Sequence, residues 1–153
     1  MKVLDKKDIK VDLLKKCIDI QTEKVSTAKK AMDEAQQSAN EGGNSTEEMT
    51  DSFRETMQNT RDMYAKRYFE VLNELDVLKR IPVSGSKEVE PGAVIYTDMH
   101  SYYVSISLGS IEYDGNNYFA ISSLSPIYKI MEGKKKGDTF IFRDKTVKII
   151  DIF

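Results

Sequence analysis

The sequence holds a single cysteine, a single histidine, three prolines and no tryptophan. A lone Cys17 excludes an internal disulfide and suits a reducing compartment. So few thiols and imidazoles also leave no zinc site of the usual ligand spacing. Charge of one sign is missing as well: 23 Lys and Arg stand against 25 Asp and Glu, a net charge of -2. Without a global basic field, independent DNA binding is not expected, and no block of like charge marks a disordered tail. Long hydrophobic runs are absent. The opening Met1–Lys7 lacks the apolar core of a signal peptide, and no later stretch is long enough to span a membrane, so a soluble cytoplasmic protein is expected. His100 falls in a turn with no cysteine or second histidine near it and reads as a surface residue. Nothing forms a nucleophile–base set or a glycine-rich phosphate loop, so no active site of the chain's own is expected.

What is present is a long heptad-like stretch from Asp8 to Arg80. Leu14, Ile18, Gln21, Val25, Ala28, Met32, Ala35 and Ala39 recur at alternating spacings of four and three. Phe53, Met57, Thr60, Tyr64, Tyr68, Val71, Leu75 and Leu78 nearly repeat that spacing. This is the seam of a coiled coil, and Glu41-Gly42-Gly43-Asn44 is where it can reverse. Small alanines on the upper first arm face large Phe53 and Met57, a complementarity that suits an antiparallel intramolecular pair and a monomer. Arms of roughly 30–35 residues should reach about 45–50 Å at 1.5 Å per residue. Ser45-Thr46-Glu47-Glu48 starts the second arm with a capping box, and Glu47, Glu48 and Asp51 place negative charge where the helix dipole favours it. Together with Glu41 these acids crowd the hairpin tip, and carboxylates are hard ligands suited to Mg²⁺.

Composition changes at Pro82, where helix formers give way to β-branched and aromatic residues with frequent turns. Two domains are therefore expected, a coiled-coil hairpin over 1–81 with its tip about 41–47, and a small domain over 82–153. Ala93–Asp98 and Ser101–Leu108 read as strands, followed by a hairpin around Asp114-Gly115-Asn116. A short helix starts after Ser125-Pro126 and stops at Gly133, and Thr139–Phe142 with Thr146–Ile152 closes the chain. The fold class is α+β, with a mainly antiparallel sheet and one short helix. Lys134-Lys135-Lys136, the longest basic run, reads as a solvated turn.

Ile121-Ser122-Ser123-Leu124-Ser125-Pro126-Ile127, followed by Met131-Glu132-Gly133-Lys134-Lys135-Lys136-Gly137-Asp138, resembles the C-terminal signature of the GreA/GreB transcript cleavage factors. Lys148-Ile149-Ile150-Asp151-Ile152 supplies the matching close, and the order of parts agrees: coiled coil, linker, FKBP-like domain. The resemblance implies a cytoplasmic bacterial transcription elongation factor that binds RNA polymerase through the C-terminal domain and passes its coiled coil down the secondary channel. It implies docking by Ser125, Pro126, Ile127 and Tyr128. It also implies tip acids (Glu47, with Glu48 and Glu41 beside it) that help hold an Mg²⁺ of the polymerase, and contact with nascent RNA only inside that complex. No cofactor of the chain's own is implied.

The match departs at two places. The family's Gly-Asp-x-x-Glu-Asn overlays on Gly43-Asn44-Ser45-Thr46-Glu47-Glu48, so Asn44 replaces an aspartate with a weaker metal ligand. Tyr128 stands where the family has glycine. A channel-binding regulator is thus expected in preference to a full cleavage factor. The alternative is an FKBP-like peptide-binding or chaperone module with a coiled-coil arm.

Overall fold

The computed structural model describes residues 5–44 and 51–153, the side chains of 41–44 excepted. Two long helices come first, α1 over Lys6–Asn44 and α2 over Asp51–Lys79. Six strands and one short helix follow: β1 Val94–Thr97, β2 Ser101–Ser105, β3 Gly109–Tyr113, β4 Asn116–Ser122, α3 Pro126–Met131, β5 Thr139–Phe142 and β6 Lys145–Ile152. This is the expected α+β architecture. Among the described residues no helix is long and apolar enough to cross a membrane. By contact the chain forms two compact units, Met1–Ile18 with Val77–Phe153 and Asp19–Asp76.

Within the unit 19–76 the two helices pair antiparallel. Gln21 donates to the Val71 carbonyl, Thr27 and Ala28 share a groove with Tyr64 and Arg67, and Ala35 and Ser38 share one with Thr56 and Met57, so numbers rise on one helix as they fall on the other. The α1 seam is as expected: Gln21 is buried, and Val25, Ala28, Met32, Ala35 and Ala39 are half-buried. On α2 the seam shifts by one residue in its middle. Arg61 and Ala65 are half-buried, whereas Phe53 and Tyr64 are 50% and 37% exposed and Thr60 faces solvent. The small Ala65 fits the close approach, and the bulky Tyr64 moves to the flank, where it lines a groove floored by Ala31 and Ala35.

A second correction concerns where α1 stops. It continues through Gly42 and Gly43 to Asn44, so that pair does not end it. Glycine costs a helix roughly 1 kcal/mol relative to alanine but does not forbid it. The capping box at Ser45–Glu48 lies outside the described residues.

The sheet order is β3-β4-β2-β1-β6-β5. All its pairs are antiparallel except β2 with β4, so the sheet is mainly antiparallel, as expected, with one parallel pair among its inner strands. That pair follows from the order of the strands. β3 lies on the outer edge and turns through Asp114 and Gly115, both at positive φ (50° and 77°), as the tight hairpin turn requires. The returning β4 then inserts between β3 and β2 and follows β2's direction.

Over β1, β2 and β4 both faces of the sheet are covered, which the alternation along β2 did not announce. On one face Ile95, Tyr102, Val104, Ile121 and Ile149 pack under Tyr128 and Met131 of α3. On the other, Val94, Tyr103, Tyr118 and Ala120 meet Leu13 and Cys17 of α1 and Leu78 at the end of α2. Tyr102 and Tyr103, neighbours on one strand, are therefore both buried, at 6% and 1% exposure. The first turns of α1 belong to the sheet's core.

Polar contacts fix the same joint. Tyr113 donates its hydroxyl to Asp12 at 2.5 Å, and Lys16 Nζ donates to the Glu112 carbonyl at 2.6 Å. Lys10 Nζ reaches the Ser84 carbonyl at 2.7 Å, and Lys6 pairs with Asp151 at 2.9 Å. Burial pulls the Lys10 ammonium below its ordinary value, partly offset by Glu90. Burial also pushes the Asp151 carboxyl up, but Lys6, the Ile152 amide and Lys136 together outweigh it and hold it low.

Candidate functional site: the turn between β4 and α3

The site is built on Ser122 and Ser125. Ser122 Oγ accepts the Leu124 amide at 3.2 Å, and the Ser122 carbonyl accepts both the Ser125 amide at 3.1 Å and the Ser125 hydroxyl at 2.7 Å. Ser125 Oγ in turn accepts the Tyr128 amide at 3.3 Å, capping α3, with Pro126 at the first helical position. A proline there loses no hydrogen bond and fixes φ in advance. Four hydrogen bonds over seven residues hold one turn conformation without a partner. The ordering entropy of the loop is thus met on folding and need not be met on binding.

The four residues expected to dock are contiguous here but differ in exposure. Pro126 is exposed, Ser125 is half-buried around its cap, and Ile127 is half-buried against the first core. Tyr128 is 4% exposed, so its ring supports the turn from below. Burial, then the carboxylates of Glu132, Glu90 and Glu88, raise its hydroxyl pKa. What the sequence reading missed is Leu124, 79% exposed at the apex of the turn. The signal was available: a leucine inside a Ser-Ser-Leu-Ser-Pro turn belongs to no helical or strand period and has no core position to fill.

Glu47 and Glu48 lie outside the described residues, and Glu41 belongs to α1 with its side chain outside the description. The shared Mg²⁺ expected at Glu47 falls there too. Among the described residues no cluster of three His, Cys, Asp or Glu side chains is placed to hold a metal ion.

The remaining candidates have structural places. His100 is exposed, its ring edge-on to Phe119 at 5.0 Å and to Tyr102 at 6.2 Å. The lysine run is part of a connection: the Lys134 carbonyl accepts the Val89 amide, Lys135 bridges Glu88, and the Asp138 carboxylate accepts the Lys135 amide at 2.8 Å. Cys17 is fully buried beside Ser105, and burial pushes its thiol up to about 11 despite that hydroxyl.

No protein-family model matches the chain, and no curated protein sequence does. Among solved structures it is similar to the transcription factor Gfh1, with 17% identity, 88% of this chain and 92% of that chain covered, and a TM-score of 0.36. It is also similar to the GreA factor homolog 1 (Gfh1) protein of Thermus thermophilus, with 19% identity, 93% of each chain covered and a TM-score of 0.33. Thermus aquaticus Gfh1 gives 18% identity, 88% and 92% coverage and a TM-score of 0.34. Superpositions this loose carry no argument about function.

Proposed function

We propose that this chain is a Gre-type transcription regulator, cytoplasmic and bacterial, that docks on RNA polymerase through the turn between β4 and α3. Its helical hairpin enters the secondary channel. The reading is supported above all by one observation: the segment that resembles the Gre signature folds as a hydrogen-bonded, pre-ordered turn. That turn sets Leu124 and Pro126 outward over the Tyr128 anchor. A pre-ordered turn that holds Leu124 at 79% exposure suits a docking contact, because little ordering entropy is left to lose on binding. The chain supplies a shape and a contact, and the chemistry is the polymerase's own.

Docking is tested by co-purification with core RNA polymerase at low salt, comparing the unaltered chain with Leu124→Glu and Pro126→Ala. Retention of the unaltered chain and its loss in Leu124→Glu is the expected result. No retention of the unaltered chain refutes the reading. Stimulation of RNA cleavage is a separate question, asked of stalled complexes. Shortening that disappears in Glu47→Ala makes the tip acids participants, and indifference to that substitution leaves a channel-occupying regulator.

A further inference from the structure

One buried charge beside the sheet lacks a counter-charge. Lys10 shares the inner face of α1 with Leu13 and Cys17, at helical spacing, and all three are buried. An ammonium in such a row needs a counter-charge or a full set of acceptors, because it has been taken out of water. Lys10 has neither. It is 1% exposed, and its Nζ donates to the neutral Ser84 carbonyl at 2.7 Å. No carboxylate lies within ion-pair distance of it among the described residues, and Glu90 acts only from farther off. An ammonium carries three donors, and among the described residues one of them is matched.

The space for a counter-charge lies next to it. Lys10 and Ser84 line a cavity of about 310 Å³, together with Lys6, Lys7, Gly85 and Phe153. All of these residues belong to the unit Met1–Ile18 with Val77–Phe153. Lys6 is matched by Asp151 at 2.9 Å, whereas Lys7 has no ion-pair partner among the described residues. The helix end itself is answered by Asp5, whose carboxylate accepts the Lys7 amide at 3.4 Å, and by Asp8. Two ammoniums, those of Lys7 and Lys10, thus remain uncompensated in the lining of one cavity.

We propose that this cavity binds a small phosphate monoester, whose dianionic group meets Lys7 and Lys10 and whose organic part lies against Val83 and Phe153. Two positive charges match a dianion in sign and number. Ammonium groups are compact point charges that suit a tetrahedral phosphate. Among the described residues no arginine lines the cavity to offer the planar fork that suits a carboxylate. Val83 and the Phe153 ring give the cavity an apolar side, and its volume falls at the lower end of small-molecule sites, roughly 300–1,000 Å³. Such a ligand joins the start of α1 to the segment 83–85, so its binding stabilises the folded chain. Neither Leu124 nor Pro126 takes part.

The test is amide NMR and calorimetry of the full chain with phenyl phosphate. Inorganic phosphate, benzoate and a phosphoserine peptide serve as comparisons. Saturable shifts at Lys7, Lys10, Ser84 and Gly85 are expected with phenyl phosphate, at an affinity at least about tenfold above each comparison. Lys10→Met keeps an apolar stem and removes the charge. It is expected to weaken phenyl phosphate about tenfold or more, and to leave the unliganded chain at least as stable because the unmatched charge is gone. Lys7→Gln, at an exposed position, gives an independent reading if Lys10→Met does not fold, with an expected loss of about threefold. Five results overturn the proposal: shifts elsewhere or none, unchanged affinity in either folded variant, a folded Lys10→Met chain that melts lower without ligand, benzoate or inorganic phosphate bound as tightly as the ester, or tighter binding of the phosphoserine peptide.

Discussion

If the first turns of α1 belong to the sheet's core, a change near the start of the chain must weaken strands 80 or more residues away. Leu13 is 0% exposed and packs in the cluster with Leu78, Val94, Tyr103 and Tyr118. Leu13→Ala removes three carbon atoms from a site closed on all sides. The lost transfer energy plus the cavity left behind put the cost at about 2.7–5 kcal/mol. Ile20→Ala, on the same helix but 38% exposed, should cost under about 1 kcal/mol. The assay is urea unfolding followed by near-ultraviolet circular dichroism. Its signal comes from tyrosine and phenylalanine because the chain has no tryptophan. Tyr103 and Tyr118 lie in the affected cluster, so the tyrosine signal reports on the sheet and not only on helix content. The expected outcome is a lower midpoint for the tyrosine transition in Leu13→Ala and almost none in Ile20→Ala. If both substitutions cost the same, or if residues 82–153 alone unfold at the midpoint of the whole chain, the shared core does not exist in solution.

Three further outcomes follow from named contacts. The hydrogen bond to Asp12, then burial, push the Tyr113 hydroxyl up to about 12. A group raised above its unfolded value, near 10, contributes stability in full below that value and loses it as pH rises through about 12. Thermal stability should therefore fall between about pH 10 and 12, and Tyr113→Phe should lose part of that dependence and titrate one tyrosine fewer at 295 nm. Cys17, with its thiol near 11 and no exposure, should resist a disulfide reagent at pH 8 in the folded chain and react at once in urea; fast reaction of the folded chain would show that Cys17 is not buried in solution. Ser125→Ala removes the cap of α3 and the hydroxyl that donates to Ser122, at a cost of about 1 kcal/mol. Amide exchange should quicken at Tyr128 and Ser125, and unchanged protection there would mean that the cap does not hold the turn.

Much of this fold is legible residue by residue. The α1 seam from Gln21 to Ala39, the Asp114-Gly115 turn, the Ser125 cap with Pro126 and the closing strand pair all arise from interactions within a few neighbours. Side-chain period, positive φ and capping chemistry are local properties, so the order of amino acids was enough to determine them. The likeness of the β4–α3 segment to a known signature was legible in the same way. The choice of Arg61 and Ala65 over Thr60 and Tyr64 in the α2 seam was not, because several positions satisfy the same spacing and packing against α1 selects among them.

Tertiary structure alone decided three things. It put β4 parallel to β2, because strand order depends on which edge is free when the chain returns. It buried Leu13 and Cys17 against the sheet, a pairing between segments some 90 residues apart that no local pattern records. It also left Leu124, Ile141 and Ile150 in solvent, since an apolar residue is exposed or covered according to what the rest of the fold brings beside it.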